Sequence, residues 1–177
     1  ESFDRSVGIR THLLISMVAA IAPEVRRTDV ASTRRYARML MQRMPMRRGR
    51  QAAVQRMASS AAIYCSQLMP PAHAGYELFG AEVSLGAARA DLVWTRPDGS
   101  VFVDELKTGR SQGITSLTLR RQVIDLVQGG VERFGAAFRG VRVLYLNDTL
   151  ARYWVGTDGT WQPLTPEVDP ARTEGRR

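Results

Sequence analysis

Asp91-Leu92-Val93-Trp94-Thr95-Arg96-Pro97-Asp98-Gly99-Ser100-Val101-Phe102-Val103-Asp104-Glu105-Leu106-Lys107 reads as strand, tight turn, strand. Ala90–Thr95 and Ser100–Leu106 are rich in Val, Leu, Phe and Trp, and Pro97-Asp98-Gly99 separates them. Proline presets the first turn position, and glycine supplies the positive φ of a three-residue hairpin loop. With Arg96 and Ser100 flanking that loop, Asp91 falls opposite Glu105. A two-residue loop would slip the pairing and send Asp91 to the other face. Glu105 and Lys107 share a face through the two-residue period of a strand. The hairpin is therefore expected to gather Asp91, Glu105 and Lys107 on one side of a largely apolar ribbon.

Composition singles out the same place. Of 25 basic residues, Lys107 is the one lysine and the rest are arginines. Arginine stays protonated and presents a planar fork, whereas lysine is a compact charge whose pKa its surroundings can move. Two carboxylates and an ammonium on an apolar hairpin are costly unless something lies between them. Mg²⁺ suits such a place, because it favours carboxylate and carbonyl oxygens and keeps several waters. Asp91, Glu105 and the Leu106 carbonyl are the candidate ligands, with Lys107 set to orient or deprotonate a bound water. The plainer reading is a solvated Glu-x-Lys ion pair, worth little, beside a turn-capping aspartate.

Asp91 followed fourteen residues later by Glu105-Leu106-Lys107 resembles the PD-(D/E)XK nuclease superfamily. Ala90-Asp91-Leu92-Val93 and Val103-Asp104-Glu105-Leu106-Lys107-Thr108-Gly109 are similar to its RecB-like branch, over about residues 78–147. The resemblance implies a restriction-endonuclease-like core and hydrolysis of nucleic-acid phosphodiesters dependent on Mg²⁺ or Mn²⁺. It also implies a metal-ligating histidine on an opening "G-x-x-x-H" helix, matched here by Gly8 and His12. A glutamine on a later helix would orient the site, matched by Gln122. The tyrosine often found four residues after that glutamine is Leu126 here, so half of that pattern is missing.

Net charge is +8, of which +9 lies between Arg26 and Arg56, where ten arginines meet one acid, Asp29. A concentrated basic segment beside a near-neutral remainder is the footprint of a phosphate-backbone binder. Arg34, Arg38, Arg47, Arg48 and Arg50 in this segment, and Arg120 and Arg121 beside Gln122, are the expected nucleic-acid contacts. Arginine-decorated solvated helix faces are the bland alternative. Cys65 is the one cysteine, so no internal disulfide forms and a reducing, cytoplasmic setting is expected. No apolar run approaches the roughly 20 residues of a membrane span. The chain opens at Glu1 without methionine, as a piece of a longer protein would.

Along the chain, Val7, Leu13, Leu14, Met17, Val18 and Ile21 predict a helix over 4–22 ended by Pro23. Thr28 or Asp29 would cap a second helix to about Met44, and a third spans about Gln51–Leu68. Met39, Met41, Met44, Met46 and Met57 are expected to fill the core between them. Pro70-Pro71 marks a seam, giving a helical, arginine-rich region at 1–70, a nuclease-like core at 71–164 and a frayed tail at 165–177. In that core Glu77–Leu85 reads as a strand whose Glu82 could add a carboxylate. Ser116 caps a helix to about Gln128, with Gln122 inside its apolar stripe, and Gly129-Gly130 ends or kinks it. Val141–Leu146 reads as a buried strand joined in parallel through that helix. Ala151–Val155 and Thr160–Leu164 read as a last hairpin. No P-loop, zinc spacing, Gly-x-Ser-x-Gly or internal repeat occurs.

The expected fold is α/β, a helical N-terminal region packed on a mixed four- to five-stranded sheet flanked by helices. The expected function is a Mg²⁺- or Mn²⁺-dependent deoxyribonuclease of DNA repair, recombination or defence. The alternatives are a non-cleaving nucleic-acid-binding module and an interaction domain docking partner subunits in a larger assembly.

Overall fold

The computed structural model describes residues 3–21, 30–42, 50–109, 116–147 and 151–172. Three helices, α1 (Phe3–Ile21), α2 (Val30–Gln42) and α3 (Arg50–Ile63), precede the sheet. A wider π turn, Tyr64–Leu68, continues α3. Strands β1 (Glu77–Leu85), β2 (Ala88–Thr95) and β3 (Val101–Lys107) form an antiparallel meander. Helix α4 (Leu117–Phe134) then crosses over to β4 (Phe138–Tyr145), which pairs parallel to β3. The hairpin β5 (Arg152–Gly156) and β6 (Trp161–Pro163) closes the order β1-β2-β3-β4-β5-β6. The sheet has six strands where four or five were expected, because the last hairpin adds both its arms, β5 along β4 and β6 along β5.

The hairpin register is the one that a three-residue loop dictates. Leu92 pairs with Asp104, Val93 with Val103 and Trp94 with Phe102. Arg96 and Ser100 close the loop, and Gly99 sits at φ 81°. Alternation then sorts the sheet's two faces. Leu92, Trp94, Phe102, Leu106 and Leu144 pack against Val7, Leu14, Ile15 and Val18 of α1 and Met57 and Ala61 of α3. Val93, Val103, Val141 and Val143 pack beneath Leu119, Val123, Leu126 and Val127 of α4. The three layers bury β3 and β4 on both faces, as a parallel pair at a sheet's centre requires.

Four expectations need correction. Helix α4 does not stop at Gly129-Gly130. A Cβ at Gly129 would lie 2.3 Å from the Leu85 carbonyl oxygen, and one at Gly130 would lie 2.3 Å from the Phe138 ring. These glycines let the helix approach the strands and do not break it. Leu13 is exposed, and Ile15 takes the core position on α1. Met57 fills the core as expected, but Met39 lies exposed on the outer side of α2, next to Arg38. The other three methionine side chains lie outside the described residues. Finally, the chain from Thr165 to Arg172 is docked, not frayed. Tyr76 Oη donates to the Pro170 carbonyl at 2.9 Å, Asp169 meets Arg142 at 3.0 Å, and Ala171 is buried.

Candidate active site

Continuing the hairpin register one residue past Leu92 and Asp104 sets Asp91 beside Glu105, on the α4 face at one end of the sheet. Asp91 Oδ2 accepts the Leu106 amide at 2.7 Å, which clamps the aspartate across the two strands. Glu105 is only 2% exposed. Its Oε1 accepts from Lys107 Nζ at 2.6 Å and from Gln122 Nε2 at 2.6 Å, while Gln122 Oε1 accepts from Lys107 Nζ at 3.1 Å. The glutamine inside the α4 stripe thus finds its partners in the hairpin, and the three side chains form a closed ring of bonds. Glu105 Oε2 is buried and has no hydrogen-bond partner. Burial and the Asp91 charge push the Glu105 pKa up from 4.5 to about 7, against the pull of Lys107. An acceptor oxygen left bare in a buried carboxylate carries a desolvation cost that a bound cation would offset.

Helix α1 brings His12 to the same place. Its Nδ1 donates to Asp91 Oδ1 at 3.1 Å. Burial works to lower the His12 pKa, but the Asp91 hydrogen bond and charge, joined by the Glu105 charge, raise it above 6.5. The "G-x-x-x-H" glycine has a steric purpose as well. A Cβ at Gly8 would stand 2.9 Å from Thr108 Oγ1, so any other residue there would have to push that hydroxyl aside for α1 to keep its seat against the residue that follows Lys107. Glu82 joins from β1. One ligand atom each from His12, Glu82 and Asp91 falls within 4.8 Å of the others.

The structure therefore brings Asp91, Glu105, Leu106, Lys107, Gln122 and His12 together. The donor set, carboxylates and imidazole around a bare carboxylate oxygen, fits a hard divalent cation. Arg34 and Arg38 lie on α2, and the exposed Arg120 and Arg121 near the start of α4. Arg38, Gln42, Gln51 and Gln55 line a cleft of about 700 Å³ between α2 and α3. Arg47, Arg48 and the Arg50 side chain lie outside the described residues.

Sequence reading overlooked a second constellation, on the opposite face of β3. Asp104 and Arg142, both fully buried, form a two-pronged pair at 2.6 Å and 2.6 Å. Tyr64 Oη donates to Asp104 Oδ2 at 2.6 Å, and Trp94 Nε1 donates to Tyr64 at 3.1 Å. Arg142 also reaches the Leu68 carbonyl at 3.0 Å. Burial works to lower the Arg142 pKa, but Asp104 and Asp169 hold it well above the ordinary value. This cluster ties the π turn, β3, β4 and the C-terminal segment together behind Glu105. A buried arginine in the apolar run of β4 was its one sequence signal.

No protein-family model matches the chain, and no curated protein matches it. Among solved structures, the chain is similar to one described as "Structure of EndoMS-dsDNA2 complex", at 26% sequence identity and a TM-score of 0.32. That likeness covers 40% of this chain and 27% of the other, so the chain spans about a quarter of that protein's length. No described helix is long and apolar enough to cross a membrane.

Proposed function

We propose that the protein is a metal-dependent nuclease that hydrolyses DNA phosphodiester bonds through a RecB-like PD-(D/E)XK site. One observation carries the reading: Asp91 and Glu105 meet across the hairpin, and Glu105 keeps one oxygen bare while Lys107 and Gln122 hold the other. Asp91, Glu105, His12 and the Leu106 carbonyl would hold Mg²⁺ or Mn²⁺. When bound, that cation supplies charge neutralisation at a phosphate and acidifies a water. Lys107 positions and helps deprotonate the attacking water from beside the carboxylate, and Gln122 holds Lys107 and Glu105 in register. Arg120 and Arg121 flank the site and Arg34 and Arg38 extend the basic surface, so they would grip the phosphate backbone.

Incubation with linear and circular DNA, single- and double-stranded, with Mg²⁺, Mn²⁺ or EDTA tests the proposal. Cleavage lost in EDTA and in Lys107→Ala is the expected result. Metal-independent retention of DNA without cutting would replace the enzyme with a binding module, a reading that the amide- and arginine-lined cleft between α2 and α3 favours. Neither cutting nor binding would leave the interaction domain of a larger assembly.

A further inference from the structure

We propose that Glu82 is a cation ligand held in reserve by Arg89, and that binding of a divalent cation exchanges one partner for the other. The inference rests on the cation-binding reading above. Glu82 sits mid-strand in β1, yet it is the one non-glycine residue with positive φ, 54°, among the described residues. Its neighbours pair normally, Ala81 with Leu92 and Val83 with Ala90, while Glu82 and Asp91 between them do not. A left-handed residue crowds its own Cβ and abandons strand alternation. The rotation has a visible result, a carboxylate close to His12 and Asp91, with ligand atoms within 4.8 Å of one another. Metal–oxygen distances of about 2.0–2.6 Å place ligands of one cation about 3–5 Å apart.

A second, independent observation points to a ligand here. Glu105 Oε2 is buried without a partner, and Asp91 and His12 are among the charges acting on it. His12, Glu82, Arg89, Asp91 and Gln122 line a cavity of about 460 Å³, flanked by the exposed Ile9 and Leu13 of α1. Arg89 Nε stands 2.7 Å from Glu82 Oε2, with 69% and 47% of the two side chains exposed. A pair this open to water is weak and gives way to a divalent ion. Once displaced, Arg89 lies at the cavity mouth with its fork free for a phosphate.

Mn²⁺ titration, followed by calorimetry and by the electron paramagnetic resonance of unbound Mn²⁺, separates the possibilities. Glu82→Gln should weaken Mn²⁺ about tenfold and Arg89→Gln should tighten it two- to fivefold, with unchanged circular dichroism. Asp91→Asn should abolish binding. Glu82→Gln binding Mn²⁺ as tightly as the unsubstituted protein, or Arg89→Gln binding no tighter, would overturn the exchange and leave the nuclease reading standing. No Mn²⁺ binding by the unsubstituted protein would overturn both.

Discussion

Glu105 holds a proton that its unfolded form gives up. In the metal-free protein its pKa is pushed from 4.5 to about 7, so between those values the folded state binds more protons than the unfolded. Stability from this group is complete below pH 4.5 and is lost as pH rises through 7. His12, also raised, has the same sign. The urea-unfolding free energy of the unsubstituted protein minus that of Glu105→Gln, in EDTA, should therefore fall by about 1–3 kcal/mol from pH 4.5 to 7.5. A flat difference would mean that Lys107 keeps the carboxylate ionised throughout. Because a cation competes with the same proton, Mn²⁺ affinity should rise over that pH range in the unsubstituted protein.

At the level of elements, helix α4 holds the site's glutamine at the height of Glu105, and its approach to the sheet depends on two missing Cβ atoms. Gly129→Ala gains about 1 kcal/mol of helix propensity. It also drives a methyl to 2.3 Å from the Leu85 carbonyl oxygen, a backbone atom that cannot swing aside. Overpacking of this kind costs about 1–3 kcal/mol or more. The expected outcome is net destabilisation by denaturant unfolding; on the proposed nuclease reading, DNA cleavage falls further than stability as Gln122 shifts from Glu105. A stabilised Gly129→Ala would show that the helix sits farther from β1. Sequence reading took this Gly-Gly pair as an end or a kink, because a helix breaker and a close contact look alike until the opposing strand is known.

For the whole molecule, the buried Asp104–Arg142 pair joins the helical layer, the sheet and the C-terminal segment behind the candidate site on β3. Asp104→Asn keeps the shape but leaves a buried guanidinium short of charge. A loss of about 3–5 kcal/mol in urea unfolding is expected, and a loss under 1 kcal/mol would show water reaching Arg142. On the proposed DNA-binding reading, the arginines spread over α2 and α4 act at this scale too. DNA affinity should fall with added salt at a log–log slope of about −0.9 per phosphate neutralised for duplex, as filter binding would show. The charge distribution, the six strand segments and the hairpin register were legible in the sequence, since each depends on neighbours a few residues apart and on the strand period of two. Gln122 was legible because an amide inside an apolar stripe demands a partner. Contacts across long separations were not: Arg142 meets Asp104 38 residues away and Tyr64 meets it from 40. Local sequence determined which side chains share a strand face. Only tertiary packing decided that His12 and Glu82 reach Asp91, because helix approach and a left-handed backbone turn place them there, and neither is encoded by periodicity.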